Sequence, residues 1–268
     1  MEVLFPLFIL GLSVGSFLNV LIDRLPREEQ VFKGRSYCES CRKTIKWYDL
    51  IPILSFIILK AKCRYCRLPL SYYYPLVELT TGALFVAISI FVNNNFQFSI
   101  FNFQSNPNFQ LDKVSALGYY LFIASSLVVI FFVDLKYGII PDVIIYSAIA
   151  VSFLYIILNT YYLIPLVAAA VGSFLFFLII FLATRGRGMG FGDVKFAFLM
   201  GLLLGFPKTI PGLYVAFLTG AVVSIILILI GKKKFRGSTV PFGPFLVIGT
   251  LISLFWGDII LQTVFPFL

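Results

Sequence analysis

The chain reads as an all-α polytopic membrane protein of about eight transmembrane helices, with a small cytoplasmic domain between the first two. Three observations say so. Of its 268 residues 60% are apolar and only 12% charged, whereas charged residues make up roughly a quarter of a soluble domain. Apolar runs of roughly 17 to 25 residues, each able to cross about 30 Å of hydrocarbon as a helix, recur from end to end. The four cysteines, Cys38, Cys41, Cys63 and Cys66, all fall within one long basic stretch after the first run.

The runs predict spans over residues 3–22, 75–92, 116–133, 140–158, 162–183, 194–206, 210–231 and 242–266. Met1-Glu2 offers no basic n-region and no small-residue cleavage site follows, so the first span is expected to be retained. The segments after spans one, three, five and seven carry 19 of the 21 Lys and Arg residues. That asymmetry puts these segments in the cytoplasm and both termini outside. The net charge of +9 is then a topological signal, and no nucleic-acid partner is needed. Lys232-Lys-Lys-Phe-Arg236 reads as a stop signal lying on anionic membrane lipid.

The expected domains are a first helix over 1–22, a cytoplasmic cysteine domain over 23–74 and a seven-helix membrane domain over 75–268. Within the second, Leu50 to Leu59 is apolar but too short to cross and is expected to lie in the interface, with Trp47 and Tyr48 at headgroup depth. The connection from Asn93 to Leu111 is rich in Asn, Gln and Phe and is expected to be irregular.

Cys38-Glu-Ser-Cys41 and Cys63-Arg-Tyr-Cys66 are two close pairs able to supply four thiolates to one structural zinc. Two disulfides are the rival, disfavoured in a reducing cytoplasm. In the membrane, Gly188-Met-Gly-Phe-Gly-Asp193-Val-Lys195 leads directly into an apolar run. A carboxylate at the mouth of a membrane helix is costly unless paired, hydrated or working, which marks Asp193. Gly188, Gly190 and Gly192 are expected to admit unusual turns and the approach of another peptide. The expected topology brings Asp134, at the end of the third span, to the same depth. Two such acids can divide a hydrolysis, one activating water and the other protonating the leaving amine. The chain has no histidine for a Ser-His base. Asp142 reads as a competing acid or a helix cap, Glu78 as a polar group inside the second span, and Lys195 as reaching for the headgroups.

Gly190-Phe-Gly-Asp193 fits the G-x-G-D motif of intramembrane aspartyl proteases, and the wider sequence resembles the type IV prepilin peptidases, the prepilin leader peptidase/N-methyltransferases. The resemblance runs through Gly15-Ser-Phe-Leu-Asn-Val-Leu-Ile-Asp-Arg-Leu-Pro26, both Cys pairs, Lys62-Cys-Arg-Tyr-Cys66 and Tyr74-Pro-Leu-Val-Glu78. It continues through Asp134, Ile140-Pro-Asp142, the Gly188–Lys195 stretch and Pro241-Phe-Gly-Pro-Phe-Leu246, and departs only at Ala61, where many members have Gly. It implies an eight-helix peptidase of the bacterial inner membrane, active at the cytoplasmic face. Such an enzyme removes the basic leader of prepilins or pseudopilins, after a Gly and before a residue that is usually Phe, then methylates the new α-amine with S-adenosylmethionine. The resemblance makes Asp134 and Asp193 the catalytic pair, with Gly190, Gly192, Lys195, Asp142 and Glu78 in support. The alternatives are a peptidase-only relative, against which the cysteine domain argues, and two readings without peptidase activity. One is a proton- or ion-coupled transporter using the two aspartates; the other is a zinc-stapled scaffold that would tolerate their loss.

Overall fold

The computed structural model of the chain describes residues 3–31, 34–98, 109–159, 163–231, 240–265 and 267. The cationic cluster at 232–236 and the middle of the 93–111 connection lie outside them. Among the described residues the regular structure is helical, with two isolated β-bridges. The α-helices are α1 (Leu4–Arg24), α2 (Leu54–Ile58), α3 (Tyr73–Phe98), α4 (Phe109–Tyr137), α5 (Asp142–Asn159), α6 (Leu163–Ala183), α7 (Phe191–Leu204), α8 (Thr209–Leu229) and α9 (Gly243–Val264). Each expected span is one of these, α2 being the short apolar stretch. Helices α1, α3, α4, α6, α8 and α9 are long and apolar enough to cross a membrane. The apolar part of α5, Asp142–Leu158, is shorter, and α7 has 14 residues, about 21 Å at 1.5 Å per residue. Glycines stop α7 at both ends: Gly190 is its N-cap, and Gly205 takes φ +67 after its last turn. The 93–111 connection is less irregular than its composition suggests, since α3 runs on to Phe98 and α4 starts at Phe109. A helix that satisfies its own backbone need not stop where the hydrocarbon does.

The chain forms two compact units, Met1–Val129 and Ile130–Leu268. In the first, α1 and α3 pack antiparallel in a fixed register. A Cβ on Gly11 would lie 2.7 Å from the Gly82 Cα, and one on Gly15 would lie 2.7 Å from the Glu78 Cα. One turn further, Asn19 Nδ2 donates to the Tyr74 carbonyl at 3.2 Å. Every four residues forward on α1 thus meet four residues back on α3, and small residues set the spacing. The chain leaves α1 at Arg24, a buried guanidinium that donates to the carbonyls of Gln30 at 3.0 Å and Arg35 at 3.2 Å.

In the second unit, α7 packs against α5, α6, α8 and α9. Val194, Phe196, Ala197, Leu199, Met200 and Leu202 are all buried, as a helix apolar on every side must be. Gly201 lets α6 come so near that a Cβ would strike the Ala170 backbone. On α6, Ser173 adds a buried bond, its hydroxyl donating to the Ala197 carbonyl at 2.7 Å.

Candidate active site and metal centre

Asp134 stands in the last turn of α4 and is buried. The helix ends three residues later, at Tyr137, and just beyond it the Gly138 N–H donates to the Asp134 carbonyl at 2.8 Å and Gly138 takes φ +71. The side chain accepts, through Oδ2, the N–H of Gly243 at 2.9 Å. Gly243 is the first residue of α9, so Asp134 takes up one of the donors left over at that helix start. A Cβ on Gly243 would lie 2.6 Å from that oxygen. The position is fixed by aromatic packing: the ring of Phe242, the α9 N-cap, lies 5.2 Å from that of Phe217 and 6.4 Å from that of Phe177.

Asp193 is the third residue of α7, also buried. Its Oδ2 accepts the Gly190 N–H at 3.2 Å while its own N–H donates to the Gly190 carbonyl at 3.2 Å, the acidic half of a capping box. Asp134 and Asp193 lie near enough for the charge of one to act on the other. The structure therefore brings the two acids together within one unit.

The glycines differ from expectation. Gly190 has φ −76 and ψ 152, and Gly188 and Gly192 are not among the positive-φ residues, so no turn there requires glycine. Their contribution is room: a Cβ on Gly192 would come within 3.1 Å of the Ile140 Cβ, whereas one on Gly190 would make an ordinary 3.6 Å contact with Asp193 Oδ2. Lys195 is tied down rather than extended to the headgroups. Its Nζ lies 2.6 Å from Asp142 Oδ1 and close to the rings of Tyr146 at 5.1 Å and Phe191 at 5.3 Å. Asp142 opens α5, so this pair links α5 to α7. Glu78 belongs to the first unit, where it is buried and accepts the Ile53 N–H at 2.8 Å.

The four cysteines are free and converge, their sulfurs all within 4.8 Å of one another. Tetrahedral zinc with Zn–S near 2.3 Å requires S···S of about 3.8 Å; Cys38 and Cys66 stand 3.9 Å apart. The disulfide reading falls on this spacing, since a bonded pair is about 2.05 Å. The set is built from two copies of one turn, offset by 25 residues. Cys38 N–H donates to the Lys43 carbonyl and Arg42 N–H to the Cys38 carbonyl; Cys63 N–H donates to the Leu68 carbonyl and Arg67 N–H to the Cys63 carbonyl. Arg42 and Arg67 both take φ 58, and the bridges Tyr37–Thr44 and Lys62–Pro69 flank the two turns identically. The Cys66 backbone N–H, opposed by burial and helped by the Tyr65 N–H, brings the Cys63 thiol down to about 7, toward the thiolate a metal takes, while at Cys66 the Leu68 N–H is outweighed by burial and the neighbouring thiols, which push that thiol up to about 11.

Three features were not singled out in the sequence for these contacts. Gly243 is visible only as part of an apolar motif, and its contact with Asp134 spans 109 residues. Asn19 reads as a polar residue in an apolar run, and Asp23, which receives the Tyr74 hydroxyl at 3.1 Å, reads as a helix end.

Residues 9–92 match the bacterial peptidase A24 N-terminal domain and residues 121–225 match the type IV leader peptidase family. A prepilin leader peptidase/N-methyltransferase of Bacillus subtilis is 32% identical over 96% of this chain and 95% of its own length. One from Legionella pneumophila is 29% identical over 94% of this chain and 91% of its own. One from Myxococcus xanthus is 53% identical over 81 residues, 30% of this chain. No solved structure matches. With two family domains matched in order and a relative of this identity over nearly its full length, the chain belongs to the type IV leader peptidase family.

Proposed function

We propose that the chain is a multi-pass aspartic endopeptidase of the bacterial inner membrane that removes the basic leader from type IV prepilins or pseudopilins. It then methylates the exposed α-amine. Asp134 and Asp193 are its catalytic pair. The observation that carries this reading is two buried carboxyls in one unit, each held by one backbone N–H, with Asp134 near enough for its charge to act on Asp193. With one ionised and one protonated, the first takes a proton from water as the oxygen attacks the scissile carbonyl, and the second gives its proton to the departing amine. Gly192 leaves room beside Ile140 at the start of α7, the Gly190 N–H holds Asp193, and the Lys195–Asp142 pair steadies the first turns of α5 and α7.

Cys38, Cys41, Cys63 and Cys66 would hold a structural zinc, which their spacing fits. S-adenosylmethionine supplies the methyl group when bound. The distribution of basic residues supports an active site and a 23–74 cysteine domain at the cytoplasmic face with both termini outside, α5 and α7 counting as the seventh and eighth membrane helices. The transporter reading of the two aspartates finds no support among the relatives, which are named as leader peptidases.

The test is to co-express a prepilin with the wild type, Asp134→Asn or Asp193→Asn and read leader removal by gel shift. Both variants are expected to leave the prepilin uncut. Cleavage surviving both substitutions would sink the assignment.

A further inference from the structure

In the first unit, away from the aspartate pair in sequence, α1 and α3 enclose a polar patch that the cleavage reaction does not use. The register that sets Gly15 against Glu78 sets Asn19 against Tyr74, so Asn19 and Glu78 are one helical turn apart along the same seam. Both are 7% exposed. Asn19 spends its Nδ2 on the Tyr74 carbonyl, and its buried Oδ1 has no hydrogen-bond partner among the described residues. Glu78 has no Lys or Arg partner among them either; its donor is the Ile53 N–H at 2.8 Å, the neighbouring Ser16 hydroxyl being spent on the Leu50 carbonyl at 3.4 Å. The Ile53 N–H comes from a strained position, since Ile53 holds φ 61 and ψ −48, a region where a β-branched residue is a genuine outlier. A buried carboxylate served by a distorted donor, beside a buried amide oxygen with none, is a set of acceptors wanting a donor.

We propose that Glu78 and Asn19 Oδ1 form a binding site for an ammonium group, the α-amine of the processed substrate held for methylation. This rests on the reading that the chain methylates the pilin it has cut. The chemistry favours an ammonium because it presents three N–H donors and a positive charge; a sulfonium has the charge but no donor. Position agrees. Asn19 lies five residues before the end of α1 and Glu78 five after the start of α3, so the patch is roughly 8 Å in from the helix ends. That depth suits an amine at the head of an apolar helix lying in the bilayer. The ammonium would take over from Ile53 as a donor to Glu78, and Ile53 is the residue before the five-residue α2, whose Leu54, Ile57 and Ile58 are exposed.

The test uses the purified full-length chain and two fluorescent peptides with the mature N-terminal segment of a prepilin, one with a free α-amine and one N-acetylated. Anisotropy should show the wild type binding the free amine at least tenfold more tightly than its acetylated twin. Glu78→Gln, which keeps the shape but not the charge, and Asn19→Leu, which removes the orphan oxygen, should each erase that preference. Because Glu78→Gln can disturb Ile53, folding is checked by thermal unfolding, and Asn19→Leu carries the test if that variant melts early. Equal binding of both peptides by the wild type, or a preference surviving in either folded variant, overturns the proposal. So does loss of S-adenosylmethionine binding in Glu78→Gln with the amine preference intact, which would assign the site to the sulfonium. Asp193→Asn should keep the preference, so that failure of the catalytic assignment in the gel-shift assay is read separately.

Discussion

Gly243 bears on the proposed catalytic pair through the space it leaves beside Asp134. A methyl group there would sit 2.6 Å from Oδ2, so either the carboxyl or the start of α9 must move. Gly243→Ala is expected to lower the rate of leader removal by about 100-fold, the scale of an ångström-sized misplacement, in protein that still folds. Gly190→Ala is the matched control, because its backbone suits any residue and its Cβ meets only an ordinary contact. Its effect on thermal stability should stay within about 0.5 kcal/mol. Asp142→Asn breaks the link to Lys195, but Asp142 is 59% exposed, and such pairs contribute at most about 1 kcal/mol. A melting curve should hardly move. The sequence made Asp134 and Asp193 visible because a carboxylate in an apolar run needs a reason. It could not show Gly243, since a glycine that serves by what it leaves empty looks like any other glycine.

The helices themselves were legible from apolar run length, and their ends were not. The span expected from residue 194 starts at Phe191 because the Asp193 side chain caps it from within, a contact that brings Gly192 into the helix. The pairing of α1 with α3 was likewise hidden, although its agents, Gly11, Gly15 and Gly82, stand in the sequence. Gly11→Val should force α1 and α3 apart and cost about 1–3 kcal/mol, measured by denaturant or thermal unfolding in detergent. The cysteine domain was the most legible part, because ligand spacing is a property of sequence. Its internal repeat emerged only with the backbone bonds. Since each turn supplies two thiolates by the same hydrogen bonds, Cys41→Ser and Cys66→Ser should release the metal equally. Elemental analysis should give about one zinc for the wild type and far less for either variant. Zinc retained by one variant alone would contradict the equivalence.

The two compact units separate the proposed catalytic pair from the cysteine cluster. Both acids of the pair belong to Ile130–Leu268, while the cysteine cluster and Glu78 belong to Met1–Val129. On the proposed division of labour, in which the pair takes no part in methyl transfer, Asp193→Asn is expected to abolish cleavage while leaving methylation of an already cut pilin within about threefold. Mass spectrometry of a processed pilin would register the added methyl. Equal loss of both activities in folded protein would mean a single shared site.

The 14 residues of α7 bear on water as well as on the protein. Its neighbours α6, α8 and α9 have 21 or 22 residues, about 31–33 Å of rise against about 21 Å. A helix that short, buried among its neighbours and carrying Asp193 in its first turn, falls about 10 Å short of the rise they span. Hydrolysis needs water where the substrate is apolar. On the proposed reading, the turns that α7 lacks are where the protein itself makes room for that water, without calling on the lipid.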